Sequence, residues 1–341
     1  MSKLNILKTN PFLSSKNSSS KPLRLGERVK FLSDSTPIYD QLKDLDVDYV
    51  IFGIPEDVGA FANNGKRGGR DAWKLVLKEL LNLRVNSFIK PQRLVILGLL
   101  DFSEEQTATE KLDPSKKNDL KKARQLVAKM DKQISQLIHD IIKAGKKPIV
   151  VGGGHNNAYG ILKGTSLALK QSLNVINFDA HTDFEHPDGR HNGNAFSYAY
   201  NDGFLDRYFI YGLHENYLPN ELLKTIKKLP KRIQFNTIED IYVRRKVTMR
   251  KEIDRALSFI GKGKFGIEVD CDSIENMPAV AMTTSGLRAN HMREMIYKLS
   301  RHENVHYLHI CGFAPELCSK RMRRSWTKFV AYMISDFVRD R

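Results

Sequence analysis

Eight short apolar runs constrain the fold of this 341-residue chain more than any other feature of its sequence. Most of them are continuously apolar instead of alternating with polar residues, which is typical of strands buried on both faces of a parallel sheet. The runs span residues 48–54, 93–98, 148–151, 173–178, 207–211, 233–237, 265–269 and 305–310.

Helical patterns lie between these runs. Residues 71–83 carry apolar side chains at spacings of three and four, and residues 120–144 form a long amphipathic stretch. This alternation of strands and helices predicts an α/β fold with a doubly wound, mostly parallel sheet of about eight strands. The polar residues 103–119 are interpreted as a surface loop.

No linker in the sequence divides this α/β unit. We predict an N-terminal extension over residues 1–40, flexible at the polar residues 14–21, and a single domain over residues 41–341. No apolar stretch reaches the ~20 residues that a membrane helix needs. Three cysteines without a C-x-x-C pair disfavour a disulfide framework. A soluble cytoplasmic protein is therefore expected.

The chain carries 55 basic and 39 acidic side chains, a formal net charge of +16. Such an excess can attract nucleic acid. The basic residues, however, are spread widely in runs shorter than five, with few aromatic residues between them. Nucleic-acid binding is therefore an alternative function that only the net charge supports.

Three segments place potential metal ligands after predicted strands: Gly152–His155 (GGGH), Asp179–Asp183 (DAHTD) and Asp270–Asp272 (DCD). Because ligands of open α/β sheets bind beyond the carboxyl ends of the strands, these segments could meet at one edge of the sheet. Three consecutive glycines would let the backbone turn sharply before the histidine. The predicted metal ligands are His155, Asp179, His181, Asp183, Asp270 and Asp272.

The chemistry of this set favours divalent cations. Four carboxylates and two imidazoles can neutralise two such ions, and oxygen-rich sets with histidine favour Mn²⁺ over structural zinc. Taken alone, the glycine run could be a phosphate loop, although it lacks the Lys-Ser/Thr of a P-loop, and either acidic motif could be an exposed polar segment. Their coincidence at three strand ends favours a two-metal centre.

Longer motifs surround these ligands. They are GGGHNNAYG at 152–160, NFDAHTDFE at 177–185 and EVDCDSIE at 268–275, with weaker matches in GIPEDVGA…NGKRGG at 53–69 and YGLHE at 211–215. Together they resemble the arginase/agmatinase/formimidoylglutamase family of ureohydrolases, and formimidoylglutamase-like members most closely. The resemblance extends from about residue 48 to about residue 335.

The resemblance implies a three-layer αβα domain with an eight-stranded, mostly parallel sheet and two Mn²⁺ ions per subunit, bridged by a hydroxide. The implied ligands are His155 and Asp183 for one ion, His181 and Asp272 for the other, and Asp179 and Asp270 for both. The implied reaction is hydrolysis of a C–N bond in a linear amidine or guanidine, through attack of the hydroxide on the sp² carbon. The family commonly forms trimers or hexamers, so a homo-oligomer is expected.

Further residues are predicted to complete the active site. By resemblance, Asp272 would carry a proton to the leaving nitrogen and His191 would shuttle protons, with His186 as a nearby competitor. Glu275 would orient groups around the metal ligands. The predicted substrate-binding residues are Glu185, Arg190, Glu215 and Arg67. Arg190 and Arg67, together with Arg70, would suit a substrate carboxylate, as in formimidoylglutamate, although they could equally cap helices or form surface ion pairs.

One position departs from the family pattern. A glutamate that holds the cationic end of the substrate usually lies three residues before a proline after the last strand, but here Gly312 precedes Pro315 at that spacing. The lost carboxylate puts arginine and agmatine in doubt as substrates. The alternatives to a formimidoylglutamase-like enzyme are an agmatinase-, arginase- or guanidinobutyrase-type ureohydrolase, and a metal-binding family member with weak or no catalysis.

Overall fold

The computed structural model describes residues 3–12, 23–33 and 36–339. Its strands are β1 Leu4–Ile6, β2 Lys30–Phe31, β3 Tyr49–Gly53, β4 Leu94–Leu100, β5 Lys147–Val151, β6 Leu173–Phe178, β7 Leu205–Leu213, β8 Ile233–Thr237, β9 Phe265–Asp270 and β10 Val305–Cys311. Its α-helices are α1 Ile38–Lys43, α2 Val58–Phe61, α3 Ala72–Leu81, α4 Ser103–Glu110, α5 Lys117–Lys143, α6 Asn157–Leu169, α7 Ala195–Asn201, α8 Asn220–Lys227, α9 Met249–Ile260, α10 Ala289–Ser300 and α11 Lys320–Val338.

These ten strands form one sheet in the order β1-β4-β3-β5-β10-β9-β6-β7-β8, with β2 paired to β4. Every pairing is parallel except that of β1 with β4. The predicted α/β fold with a mostly parallel sheet is confirmed, and β3 to β10 coincide with the eight predicted strands.

The predicted count of eight strands is too low, because the N-terminal extension adds two. β1 pairs Leu4 with Leu100 and β2 pairs Lys30 with Val95, so both lie along β4. With three and two residues, these strands are too short to show a periodic pattern in the sequence. The segment 14–21, predicted to be flexible, lies outside the described residues.

Helices cover both faces of the sheet and form the predicted three layers. Side chains of successive strand residues point to opposite faces, so Ile51 packs in the core with α3, α10 and α11, whereas Val50 packs in the core with α5 and α6. A Cβ on Gly160 of α6 would lie 2.8 Å from Cβ of Ile134 on α5, so glycine permits these two helices to pack closely.

The predicted surface loop over residues 103–119 is wrong, because this segment contains α4 and the start of α5. α4 (SEEQTATE) lacks an apolar face, so its sequence shows no helical pattern. Buried polar contacts hold it instead. Gln106 accepts the backbone N–H of Asp57 at 3.1 Å and donates to the carbonyl oxygen of Pro55 at 3.2 Å.

The centre of the sheet positions the site. β5, β10, β9 and β6 are neighbours and run parallel, so their carboxyl ends meet at one edge. Within the described part of the chain, no helix is long and apolar enough to cross a membrane.

Candidate metal centre

The carboxyl ends of β5, β6 and β9 bring the six predicted ligands together. His155 follows β5 after a short loop, Asp179 is the residue after β6, and Asp270 ends β9. Asp183 has a φ of 43°, a left-handed conformation that is uncommon outside glycine and recurs at functional sites. The ligand atoms fall into two groups.

The first group surrounds Nδ1 of His155. This nitrogen lies 2.8 Å from Oδ2 of Asp183, 3.0 Å from Oδ2 of Asp179 and 3.5 Å from Oδ2 of Asp270. The ligand atoms of these four residues lie within 4.8 Å of one another, close enough to hold one cation.

The second group joins Asp179, His181 and Asp272. Nδ1 of His181 lies 2.9 Å from Oδ2 of Asp272 and 3.7 Å from Oδ1 of Asp179. Asp179 therefore presents one oxygen to each group, as a carboxylate shared by two cations would. Asp270, for which the resemblance implies the same sharing, belongs to the first group, and its Oδ1 accepts the backbone N–H of Asp272 at 3.0 Å.

The electrostatics of the cluster suit bound cations. Burial and the charge of Asp179 raise the pKa of Asp183, and burial together with Asp272 and Asp179 raises the pKa of Asp270. Oδ1 of Asp272 is buried without a hydrogen-bond partner among the described residues. Divalent cations would offset the repulsion between the carboxylates and would give Oδ1 of Asp272 a partner. The residues therefore fit the metal that the resemblance implies.

A buried carboxylate shapes the loop that carries His155. Oε1 of Glu56 accepts the backbone N–H of Gly154 and the side-chain amide of Asn157, each at 2.9 Å. Gly153 has a φ of 74°, and a Cβ there would lie 2.8 Å from the same oxygen. The glycine run thus makes the sharp turn that the sequence predicts, and a side chain would displace the carboxylate.

A second buried carboxylate lies behind His155. Oε2 of Glu268, on β9, is 2.6 Å from Nδ1 of His309 and 3.5 Å from Nε2 of His155, and its Oε1 accepts the hydroxyl of Tyr307 at 2.8 Å. Burial alone would raise the pKa of Glu268, but the charge of His309 and the contact with His155 lower it to about 2. Glu268 therefore faces the ring nitrogen opposite the cluster, an arrangement that orients metal-binding imidazoles.

A cavity of about 230 Å³ opens beside the two groups. Its wall includes both histidines and three of the four carboxylates of the cluster. The other polar side chains of the wall are those of Asp57, Asn63, Glu185 and Asn192. Among the four predicted substrate-binding residues, only the half-exposed Glu185 lines this cavity.

Arg190 and Arg67 are directed elsewhere. Arg190 is buried, and it donates to Oδ2 of Asp131 at 2.9 Å and to the carbonyl oxygen of Asn156 at 2.7 Å. Arg67 donates to the hydroxyl of Thr109 at 2.9 Å. The structure therefore places neither arginine in the cavity wall. Arg190 forms a buried ion pair, whereas the alternative predicted from the sequence was a helix cap or a surface ion pair.

Glu215 and Glu275 also lie apart from the cavity. Glu215 forms an ion pair with Arg244 and accepts the hydroxyl of Thr237 at 3.0 Å. Glu275 lines a different cavity, of about 700 Å³. No contact among the described residues supports their predicted roles in substrate binding and ligand orientation.

His191 lies beside the cavity wall rather than in it. Its buried ring accepts the backbone N–H of Gly193 through Nδ1 at 3.2 Å, and Nε2 lies 3.7 Å from Asp188. Burial and the charge of Arg124 lower the pKa of His191 to about 4. The next residue, Asn192, does line the cavity, and its Oδ1 is buried without a hydrogen-bond partner in the described part of the chain. The proton-shuttle role of His191 stays a prediction.

Gly312 lines the cavity just beyond β10. It has a φ of 71°, and a Cβ at this position would overlap Oδ1 of Asp270. This backbone cannot accept a glutamate unless Asp270 moves, so the position is shaped for glycine.

Three residues of the site escape the sequence analysis: Glu56, Glu268 and Asn192. Glu268 lies within a continuously buried strand, and Glu56 closely follows another. A carboxylate in such a place is costly unless it is partnered, and that signal could have identified both. Asn192 lies in a loop, where no periodic pattern indicates which side chain faces the cavity.

Comparison with known protein sequences points to one family. The family model of the arginase family matches residues 47–335. A formimidoylglutamase from Streptococcus pyogenes serotype M3 is 27% identical over 245 residues, which cover 70% of this chain and 68% of that protein.

Solved structures share the fold. Trypanosoma cruzi formiminoglutamase with Mn²⁺ is 19% identical, with a TM-score of 0.72 and coverage of 93% of this chain and 98% of that one. Formimidoylglutamase from Bacillus subtilis is 17% identical, with a TM-score of 0.71 and coverage of 96% of both chains. Because the family model spans most of its length, this chain belongs to the arginase family, as its three motifs predict.

Proposed function

We propose that this chain is a manganese-dependent hydrolase that cleaves a C–N bond of a linear amidine or guanidine. The sharing of Asp179 between two groups of ligand atoms, beside one cavity, is the observation that carries this proposal. The residues that would hold the metal are His155, Asp179, His181, Asp183, Asp270 and Asp272. Bound divalent cations would lower the pKa of water and offset negative charge that develops on the substrate.

Other atoms of the cavity would orient the substrate and move protons. The unpartnered Oδ1 of Asn192 can accept an N–H of the substrate. Asp272 would take a proton from the attacking water and pass it to the leaving nitrogen, which must gain a proton before the C–N bond breaks.

Within this family the chain has three candidate functions, two of which differ in the substrate. Relatives named formimidoylglutamase support a formimino substrate. A guanidino substrate is favoured by the acidic wall of the cavity. A metal-binding member with weak catalysis is the third candidate, because Gly312 provides no carboxylate at the end of β10.

A substrate panel tests the proposal. Manganese-loaded protein would be incubated with formimidoylglutamate, agmatine, guanidinobutyrate and arginine, and release of formamide, ammonia and urea would be measured. We expect product from at least one compound, its loss in Asp179→Asn, and its retention in Glu221→Gln, which removes a carboxylate on the exposed face of α8. Stoichiometric manganese binding without any product would instead support the weakly catalytic candidate.

We also propose that the chain forms a trimer or hexamer, as the family resemblance implies. Static light scattering on the full chain would give the mass of the assembly, and a monomer mass would contradict this. The cytoplasmic location and the absence of a nucleic-acid partner stay predictions.

A further inference from the structure

We infer that the tail of the substrate, the end remote from the reacting carbon, is cationic or neutral and is not a carboxylate. This inference rests on the proposed hydrolase function. It concerns the part of the cavity wall that lies outside the ligand groups, whose polar side chains are those of Asp57, Asn63, Glu185 and Asn192.

The cavity wall is acidic. Among the described residues it contains five carboxylates and no Lys or Arg. Three of the five belong to the ligand groups, and two divalent cations would balance them together with Asp179. Asp57, which accepts the backbone N–H of Gly69 at 2.9 Å, and Glu185 would then leave negative charge facing the substrate. Such a surface favours a cation and disfavours a carboxylate.

The arginines near this wall are already engaged. Arg124 forms an ion pair of 3.1 Å with Asp188, in the same loop as Glu185. Arg190 is buried against Asp131, with 2.9 Å between Nε and Oδ2. A substrate carboxylate is best bound by paired N–H donors, and neither arginine belongs to the cavity wall.

The wall offers hydrogen-bond acceptors to the tail of the substrate. Oδ1 of Asn192 is buried and has no partner among the described residues. Glu185 packs over Gly193, where a Cβ would lie 2.6 Å from Oε1, so the carboxylate is close to the loop backbone at the wall. Both acceptors suit an amine or ammonium tail.

A matched pair of substrates tests the inference. Agmatine and guanidinobutyrate present the same guanidino group on similar chains, but the first ends in an ammonium group and the second in a carboxylate. With manganese-loaded protein we expect kcat/KM to favour agmatine at least about tenfold, since like charges in a desolvated cavity repel. Equal or greater kcat/KM for guanidinobutyrate, or a preference for formimidoylglutamate over both, would overturn the inference while leaving the hydrolase function intact.

If no substrate is turned over, binding of the amine products tests the inference about the tail separately from the proposed hydrolase function. Calorimetry with diaminobutane and aminobutyrate measures tail preference without catalysis, and tighter binding of aminobutyrate would overturn the inference. Glu185→Gln should reduce the preference for the ammonium tail, and Glu185→Lys should reverse it. Glu221→Gln should preserve it, because this carboxylate lies outside the cavity wall. An unchanged preference in both Glu185 variants would also contradict the inference.

Discussion

At the metal end of the cavity, all six side chains predicted from the sequence lie within two groups of ligand atoms. At the tail end, only Glu185 of the four predicted substrate-binding residues reaches the wall. The ligands follow the ends of parallel strands, whose positions the sheet determines, whereas the tail residues belong to loops. Residue type alone therefore predicts a site well where the backbone is regular and poorly where it is not.

The largest expected effect is at the carboxylate shared by the two ligand groups. Asp179→Asn removes a charge from both groups, so we expect manganese affinity to fall more than about 100-fold, beyond the effect of changing an outer partner of a ligand. Calorimetric titration with Mn²⁺ measures this, and Asp202→Asn, a carboxylate that accepts the hydroxyl of Tyr159, serves as control. Near-normal affinity in the variant would contradict a metal site at these strand ends.

The second prediction tests whether Arg190 stabilises the fold through Asp131 or binds the tail of the substrate. Arg190→Gln leaves the buried carboxylate of Asp131 without its cation, so the free energy of unfolding should fall by about 3–5 kcal/mol, with KM little changed. The control Arg70→Gln loses only an exposed pair with Glu110 and should cost at most about 1 kcal/mol. Urea unfolding gives both values. Normal stability with a raised KM would restore Arg190 as a substrate-binding residue.

The third prediction tests whether the buried carboxylate of Glu268, behind His155, contributes to metal affinity. Glu268→Gln removes the negative charge that faces Nε2 of His155, so manganese affinity should fall about 10–100-fold. Glu252→Gln is the matched control, because Glu252 is also buried but pairs with Arg255, away from the cluster. If both variants lower the affinity equally, Glu268 has no specific role in positioning His155.

The smallest expected effect concerns His191 and pH. Its pKa of about 4 lies below the ~6.5 of an unfolded histidine, so on acidification the unfolded state binds the proton first. The free energy of unfolding should therefore fall by about 1–2 kcal/mol between pH 7 and pH 5, and this part of the loss should be absent in His191→Gln. Identical pH dependence in both proteins would indicate a ring that is readily protonated, as a proton shuttle requires.

The same contrast explains which parts of the fold the sequence predicts. Continuous apolar runs such as the one that ends at Val151 locate the eight long strands, because burial on both faces leaves a strong pattern. β1 has only three residues, and α4 is held by the polar contacts of Gln106, so neither leaves such a pattern. Likewise, the partner of Arg190 is Asp131, 59 residues earlier in the chain, and no local spacing connects them.

The most direct test of the metal centre is anomalous X-ray diffraction at the manganese edge, on crystals of the full chain grown with Mn²⁺. Our account predicts two peaks separated by the carboxylate of Asp179, one beside Nδ1 of His155 and one beside Nδ1 of His181. No peak at these strand ends, or a peak only between His155, His309 and Cys311, where a different buried group of ligand atoms lies, would contradict it.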